Sequence, residues 1–503
     1  MFSAKDRRYQ SQALRGMPVA EGMHSLDNLV EGKSVTLYLG VISTVFISAA
    51  QAILGCNLFV LLVAASSAIL VTILLAAAPT RLGSWFTAVV FFQLFGVAWI
   101  YKTLILVPFD DGLLQPTLSM FLGLLAVTIA ASVAVSNRVL RPSANLLDRF
   151  YGDSRTWAIS GLLLFGLGEM ATYASYLINV VGASNFGGFG PLTKCAIAGE
   201  ALLINASLRR GRVMDWKIAL IFIVGFANAL LFNSKSGIIF PIACYILAIL
   251  VSPLPRAKIV KALLMLVPCL IFANSVAFPD IHVLRSTDFR NVPLAERMQL
   301  IEGVLSTHHS WQEVRVDSGD ISEEYQLFVR TDNWVVRRFA SLGYLDITLE
   351  FGDPSVSHIP FSVFIRDCMN KALPAGLATD KDSISLADKL WHIIDPRMSV
   401  GGNTTMGSIG TSRLVFGEWR GIAVLAAVWL CFLWLYQWGY GNDIRRPLVQ
   451  FILIASIPEL IETDIQYLFV CLLRLFWQDL AIMALVGWMV RFVVVRTKGL
   501  WSH

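Results

Sequence analysis

Twelve mostly apolar stretches alternate with polar breaks, at 35–54, 57–78, 85–107, 117–136, 156–181, 194–207, 218–233, 237–252, 259–279, 420–440, 448–462 and 466–495. A bilayer crossing takes about 20 such residues, so the pattern predicts about twelve transmembrane helices. The segments 194–207, 218–233, 237–252 and 448–462 are short and read as tilted, re-entrant or paired. The last, 466–495, is long enough to kink or split and carries Arg474 and Asp479. One connection departs from the rest. Residues 280–411 are polar and far longer than an ordinary loop of at most about 15 residues. Within them Pro293–Leu305, Tyr325–Leu342 and Ile384–Ile394 space their apolar residues as helices do, which predicts an ordered helical cap. The expected fold is an all-α polytopic membrane protein with one large, partly helical outer loop. Its parts are a polar tail at 1–34, about nine spans over 35–279, the loop at 280–411, about three spans over 412–495 and a tail at 496–503.

Composition agrees with this reading. Of 503 residues 56% are hydrophobic and 15% charged, against about 25% charged in a soluble protein, and the mean hydropathy is +0.65. Too much apolar surface is present for water to be the solvent. The net charge of +5 is small, and no basic block is interleaved with aromatics, so nucleic acid is excluded as a partner. The seven cysteines form no CxxC pair, which argues against a disulfide framework or a zinc site.

The placement of basic residues orients the chain, because cytoplasmic loops are enriched in Lys and Arg. With the N-terminus inside, inner loops carry Arg81; Arg138, Arg141, Arg149 and Arg155; Arg209, Arg210, Arg212 and Lys217; Arg256 and Lys258; and Arg445 with Arg446. Outer loops carry Asp110 and Asp111, Lys235, and Glu462 with Asp464. Both termini are therefore expected in the cytoplasm and the large loop outside.

Several groups could carry chemistry. Arg330, Arg337 and Arg338 return to one helical face, Arg285 and Arg290 precede them, and Arg413 follows just before the tenth span. Guanidinium forks grip phosphate oxygens at two points, so arginines gathered at an outer surface suit a lipid-linked diphosphate. A solvated amphipathic helix explains the same spacing. Lys235, in LLFNSKSGIIFPI, sits between two short spans whose helix ends could face an anion; a snorkelling lysine in a hairpin turn is the plainer reading. His309, beside His308, offers a general base near neutral pH, with His358 as its rival. Asp110–Asp111 resemble an acidic pair of membrane glycosyltransferases but also suit a solvated turn. Inside or at the ends of spans lie Glu169, Glu200, Glu459, Arg474 and Asp479, each functional or paired by default at that depth; Arg474 and Asp479 are expected to neutralise one another, and Glu169 and Glu200 to line a polar cavity opening on the outer side.

The end of the large loop reads ALPAGLATDKDSISLADKLWHIIDPRMSVGGNTTMGSIGTSRLVFGEWRGIAVL. This resembles the Wzy-type family of O-antigen and oligosaccharide repeat-unit polymerases. The matching residues are Leu373–Pro374, Asp380–Lys381, Thr404–Thr405, Ser408–Ile409–Gly410, Phe416–Gly417 and Gly421. The arginine usual after that proline is Ala375 here, and the usual Ser-Arg of the preceding short outer loop is Ser234–Lys235. The resemblance implies an architecture like that of the multi-span (GT-C-like) glycosyltransferases, in the bacterial inner membrane, with the large loop periplasmic. It implies polymerisation of repeat units carried on undecaprenyl diphosphate, without a metal or other cofactor. Arg337, Arg338, Lys235, Arg413 and Arg290 would hold the diphosphate, His309 would act as base, and Lys381 and His358 would touch the remaining substrate. Partners are then the lipid-linked glycans and membrane lipid, with a chain-length regulator protein left open. Two alternatives stay open: an O-antigen ligase-type transferase, and a twelve-span polysaccharide or lipid transporter.

Overall fold

The structure is a computed structural model that describes residues 19–139, 145–152, 154–180, 190–232, 236–252, 254–286, 294–307, 328, 340–352, 359–373, 386–394 and 406–500. Among these residues regular structure is helical throughout, and β pairing is limited to one isolated bridge, Arg81 with Asp443.

The helices follow the apolar stretches. The first nine are α1 (Val19–Ile53), α2 (Leu58–Ala77), α3 (Leu82–Leu104), α4 (Pro116–Val139), α5 (Ser154–Val180), α6 (Gly190–Arg209), α7 (Trp216–Leu231), α8 (Ser236–Leu250) and α9 (Arg256–Phe272). The loop region contributes α10 (Phe278–Ser286), α11 (Leu294–Thr307), α12 (Ser341–Glu350), α13 (Phe361–Ala372), α14 (Leu386–Ile394) and α15 (Gly407–Phe416). The chain then forms α16 (Glu418–Gly439), α17 (Pro447–Phe451), α18 (Glu459–Glu462), α19 (Ile465–Val470) and α20 (Phe476–Leu500). Among the described residues six segments are long and apolar enough to cross a bilayer: Val35–Ile53, Leu58–Ala77, Leu82–Leu104, Pro116–Ser136, Glu418–Gly439 and Ile465–Val493. Trp216–Leu231 and Ser236–Leu250 are shorter apolar helices. The other four expected spans are also helical, without meeting that length and apolarity. The expected helices at Pro293–Leu305 and Ile384–Ile394 correspond to α11 and α14, while all but a few residues of Tyr325–Leu342 lie outside the described residues.

Apolar side chains face outward where lipid would lie. The spanning part of α1 is 11% buried, whereas α3 is 72% buried and sits at the centre of the bundle. Among the described residues four π-helical turns interrupt the helices, at Phe92–Gly96, Ala273–Ala277, Ile452–Ser456 and Cys471–Leu475. Such turns release a backbone carbonyl from the ordinary ladder and gather at functional positions.

The connections sort to two ends of the bundle. At one end Leu82 N donates to Asn442 O (3.0 Å), Ile444 N to Thr80 O (2.9 Å) and Leu146 N to Trp438 O (3.0 Å). Arg446 pairs there with Asp148, and Arg491 donates to the Arg149 carbonyl. At the opposite end the Asp346 carboxylate of α12 accepts from Leu114 N (2.6 Å), Gln115 N (2.9 Å) and Ser119 Oγ (2.5 Å). That carboxylate satisfies orphan amides at the N-terminus of α4. It thereby fixes part of the large loop to the bundle. Lys371 of α13 makes a similar tie, donating to Gln466 at 2.8 Å.

Candidate functional site

Of the residues singled out from sequence, Arg413 lies in the described part; Arg290, Arg337, Arg338, Lys235, His309, His358 and Lys381 lie outside it. Arg413 is carried by α15, and the Ser-Ile-Gly motif fixes that helix. Ser408 Oγ donates to Leu460 O at 2.6 Å, and the Thr411 hydroxyl accepts from Ile465 N at 3.0 Å. These bonds clamp α15 to the turn between α18 and α19. The helix ends at Gly417, whose φ of +84° is left-handed backbone that glycine adopts freely. The chain reverses there into α16. Gly421 follows one turn later, where a Cβ would stand 2.4 Å from the Ser412 carbonyl oxygen. The motif glycines therefore permit a tight hairpin that holds Arg413 still.

Arg413 is 7% exposed. Its Nη1 donates to Thr348 O at 2.9 Å, and Nη2 lies 3.3 Å from the Glu418 carboxylate, whose side chain is 57% exposed. A guanidinium has five N–H donors, so this geometry leaves donors for an outside acceptor. The guanidinium stands at the polar end of an apolar groove. Phe121, Leu122 and Ile129 of α4 form one wall, Ile422 and Leu425 of α16 the other, and Leu349 of α12 the floor near Arg413. A fixed cation at one end of an apolar trough suits an amphiphile with an anionic head and a hydrocarbon tail.

A second polar centre joins Glu459 and Asp479, which the sequence marks as ionisable residues in or at the ends of spans, to Lys194, which it does not mark. Lys194 Nζ at the start of α6 lies 2.7 Å from the Glu459 carboxylate of α18. Asp479, 7% exposed, is within electrostatic reach of both. The expected Arg474–Asp479 pair is therefore corrected. No ion pair joins those two described residues, because five positions along this helix do not bring them together, and Asp479 is turned toward Lys194. Nothing local marks Lys194 or its pairing with Glu459, 265 residues away. Glu169 accepts from Asn228 Nδ2 at 2.6 Å and acts on Glu200. Glu200 is 5% exposed and packed inside the bundle.

The Asp110–Asp111 turn is tied down from below. Lys102 is 2% exposed, donates to the Phe109 carbonyl at 3.0 Å and to that of Asp111, and lies 4.0 Å from the centre of the Phe328 ring. Asp110 accepts from Asn57 N at 3.1 Å, and Asp111 is exposed. Both carboxylates thus belong to a structural turn. Among the described residues no group of three or more His, Cys, Asp or Glu side chains is placed to hold a metal ion.

Compared with protein-family models, curated proteins and solved structures, the chain matches none.

Proposed function

We propose that the chain is a membrane glycosyltransferase of the Wzy polymerase type, joining repeat units carried on undecaprenyl diphosphate. The observation that supports this most is the apolar groove ending at the Arg413 guanidinium. In this reading the prenyl tail lies against α4 and α16, inside the bilayer. The diphosphate meets Arg413, with Arg290, Arg337, Arg338 and Lys235 as further cationic partners. The groove then opens at the level of the periplasmic loop, in a bacterial inner membrane with both termini cytoplasmic.

The chemistry needs little more than charge and position. An acceptor hydroxyl on the non-reducing end of one lipid-linked unit attacks the anomeric carbon of the donor glycan. The new glycosidic C–O bond forms as the bond to the lipid diphosphate breaks, and undecaprenyl diphosphate leaves with the electron pair. His309 takes the hydroxyl proton. Arginines stabilise the charge on the departing diphosphate in a site of low dielectric, while Lys381 and His358 contact the glycan.

The test is reconstitution. Purified protein in liposomes is expected to elongate lipid-linked repeat units in the presence of EDTA. Arg413→Lys keeps the charge but not the fork, and is expected to slow elongation about 10- to 100-fold, as losing a charged hydrogen bond of about 1.5–3 kcal/mol does. Unchanged elongation by Arg413→Lys and Arg413→Ala removes the groove from the reaction. A ligase predicts transfer of finished glycan to another acceptor without elongation. The transporter reading draws support from the buried ionisable residues along α6, and predicts movement of lipid-linked units across the bilayer with no new glycosidic bond.

A further inference from the structure

We propose that Lys194, Glu459 and Asp479 form a binding site for one small cation, a proton or an alkali ion. The site stands apart from the Arg413 groove and does not rest on the polymerase reading. One ammonium faces two carboxylates here: Lys194 is bonded to Glu459 at 2.7 Å, and Asp479 lies within electrostatic reach of both. The sum is one negative charge. Asp479 is 7% exposed and its Oδ1 has no hydrogen-bond partner. A buried carboxylate left without compensation is costly and takes up a proton or a counter-ion.

A second observation comes from a different helix. Tyr440, at the end of α16, is 2% exposed, and its hydroxyl also has no hydrogen-bond partner. Asp479 is the charged group that acts on it most strongly. Two buried oxygens from separate elements are thus without hydrogen-bond partners and within electrostatic reach of one another. Oxygen donors of this kind suit a hard cation as well as a proton.

The surroundings are polar on each side. Cys195 comes from α6, Tyr467 from α19, Cys471 from the π turn and Tyr436 from α16. Tyr151, beneath Tyr440, donates to the Met483 carbonyl at 2.7 Å. From α5, Glu169 acts on Glu200 and Tyr173. Two of the four π turns, Ile452–Ser456 and Cys471–Leu475, flank the centre, and each loosens a backbone carbonyl that could join it. Access is from the α18 side, where the Lys194 and Glu459 side chains are 18% and 33% exposed.

The experiment uses full-length protein in lipid nanodiscs, wild type and Asp479→Asn. Sodium is exchanged for choline at constant ionic strength while infrared spectra and the unfolding midpoint are followed. If the cation is a proton, the wild type shows a protonated-carboxyl C=O band that titrates with pH and is absent from Asp479→Asn. If it is sodium, the wild-type midpoint rises with sodium and that of Asp479→Asn does not. Wild-type protein with neither the band nor a sodium response overturns the proposal, as does an Asp479→Asn variant that keeps whichever response the wild type shows. The wild-type measurements decide the question even where the variant fails to fold.

Discussion

Cys368 of α13 is fully buried in the loop region, and burial, followed by the charge of Asp464, pushes its thiol up to about 12. The sign of the consequence follows from proton counting. Above the ordinary thiol value near 9.0 the unfolded chain loses this proton while the folded chain keeps it. The folded state then binds more protons, so stability falls as pH rises from about 9 toward 12, by at most about 1.4 kcal/mol per pH unit. Cys368→Ala removes the linkage. Its unfolding midpoint is expected to fall less than that of the wild type between pH 9 and 11, and superimposable pH profiles would contradict this. Arg413 could be found in the sequence because its neighbours, Ser408 to Gly421, form a local pattern that turns a chain into a span. Lys194 and Asp346 could not, and Glu459 could be marked as an ionisable residue at the end of a span but not paired. Each gains its meaning from a partner more than 200 residues away, Asp346 from Leu114 and Gln115 at separations of 232 and 231.

Among the elements, α12 shows how the loop is held. Its carboxylate Asp346 is 2% exposed and accepts three hydrogen bonds from the start of α4. On the other side of α12, the Thr348 carbonyl accepts from Arg413. One short helix therefore couples the N-terminus of α4 to the floor of the groove. Asp346→Ala removes three hydrogen bonds, two from partly buried amides and one from the buried Ser119 hydroxyl, at a cost of about 1–3 kcal/mol, while Ser119→Ala costs about 1 kcal/mol. Thermal unfolding in detergent reads both, and faster proteolysis of the 280–411 region in Asp346→Ala would show that the loop has come loose. Equal stability of Asp346→Ala and wild type would mean the tie carries no load. Helix positions could be read from apolar run length, since α2, α4 and α16 begin and end within a few residues of the expected spans. The helix at Ser341–Glu350 could not, because only its first two residues fall in an expected helix and it is buried on both faces, which hides its period. The π turns also left no trace in the apolar pattern, since one extra residue per turn does not change hydrophobicity.

The whole molecule has two chemically different ends. Asp148, Arg149, Arg209, Asp443, Arg445, Arg446 and Arg491 meet at one of them, as the bonds and charge contacts among them require. The opposite end holds Asp346, Arg413, Glu418 and Asp464, with described helices of the large loop packed against it. This division is the one that alternating crossings demand, so the grouping of loops was legible from basic residues alone. Which end meets the cytosol is set by the same bias, because translocating Lys- and Arg-rich loops is disfavoured. The arginine-rich end is therefore expected inside. Two exposed arginines report the two ends: Arg366 on α13, 69% exposed, and Arg445, 58% exposed. In a background with the native cysteines replaced, Arg366→Cys is expected to react with an impermeant maleimide in intact cells, and Arg445→Cys only after the membrane is opened. The reverse pattern would put the Arg413 end of the groove in the cytosol. Donor glycans displayed outside could not then reach it, and a cytosolic lipid-linked substrate would have to replace them.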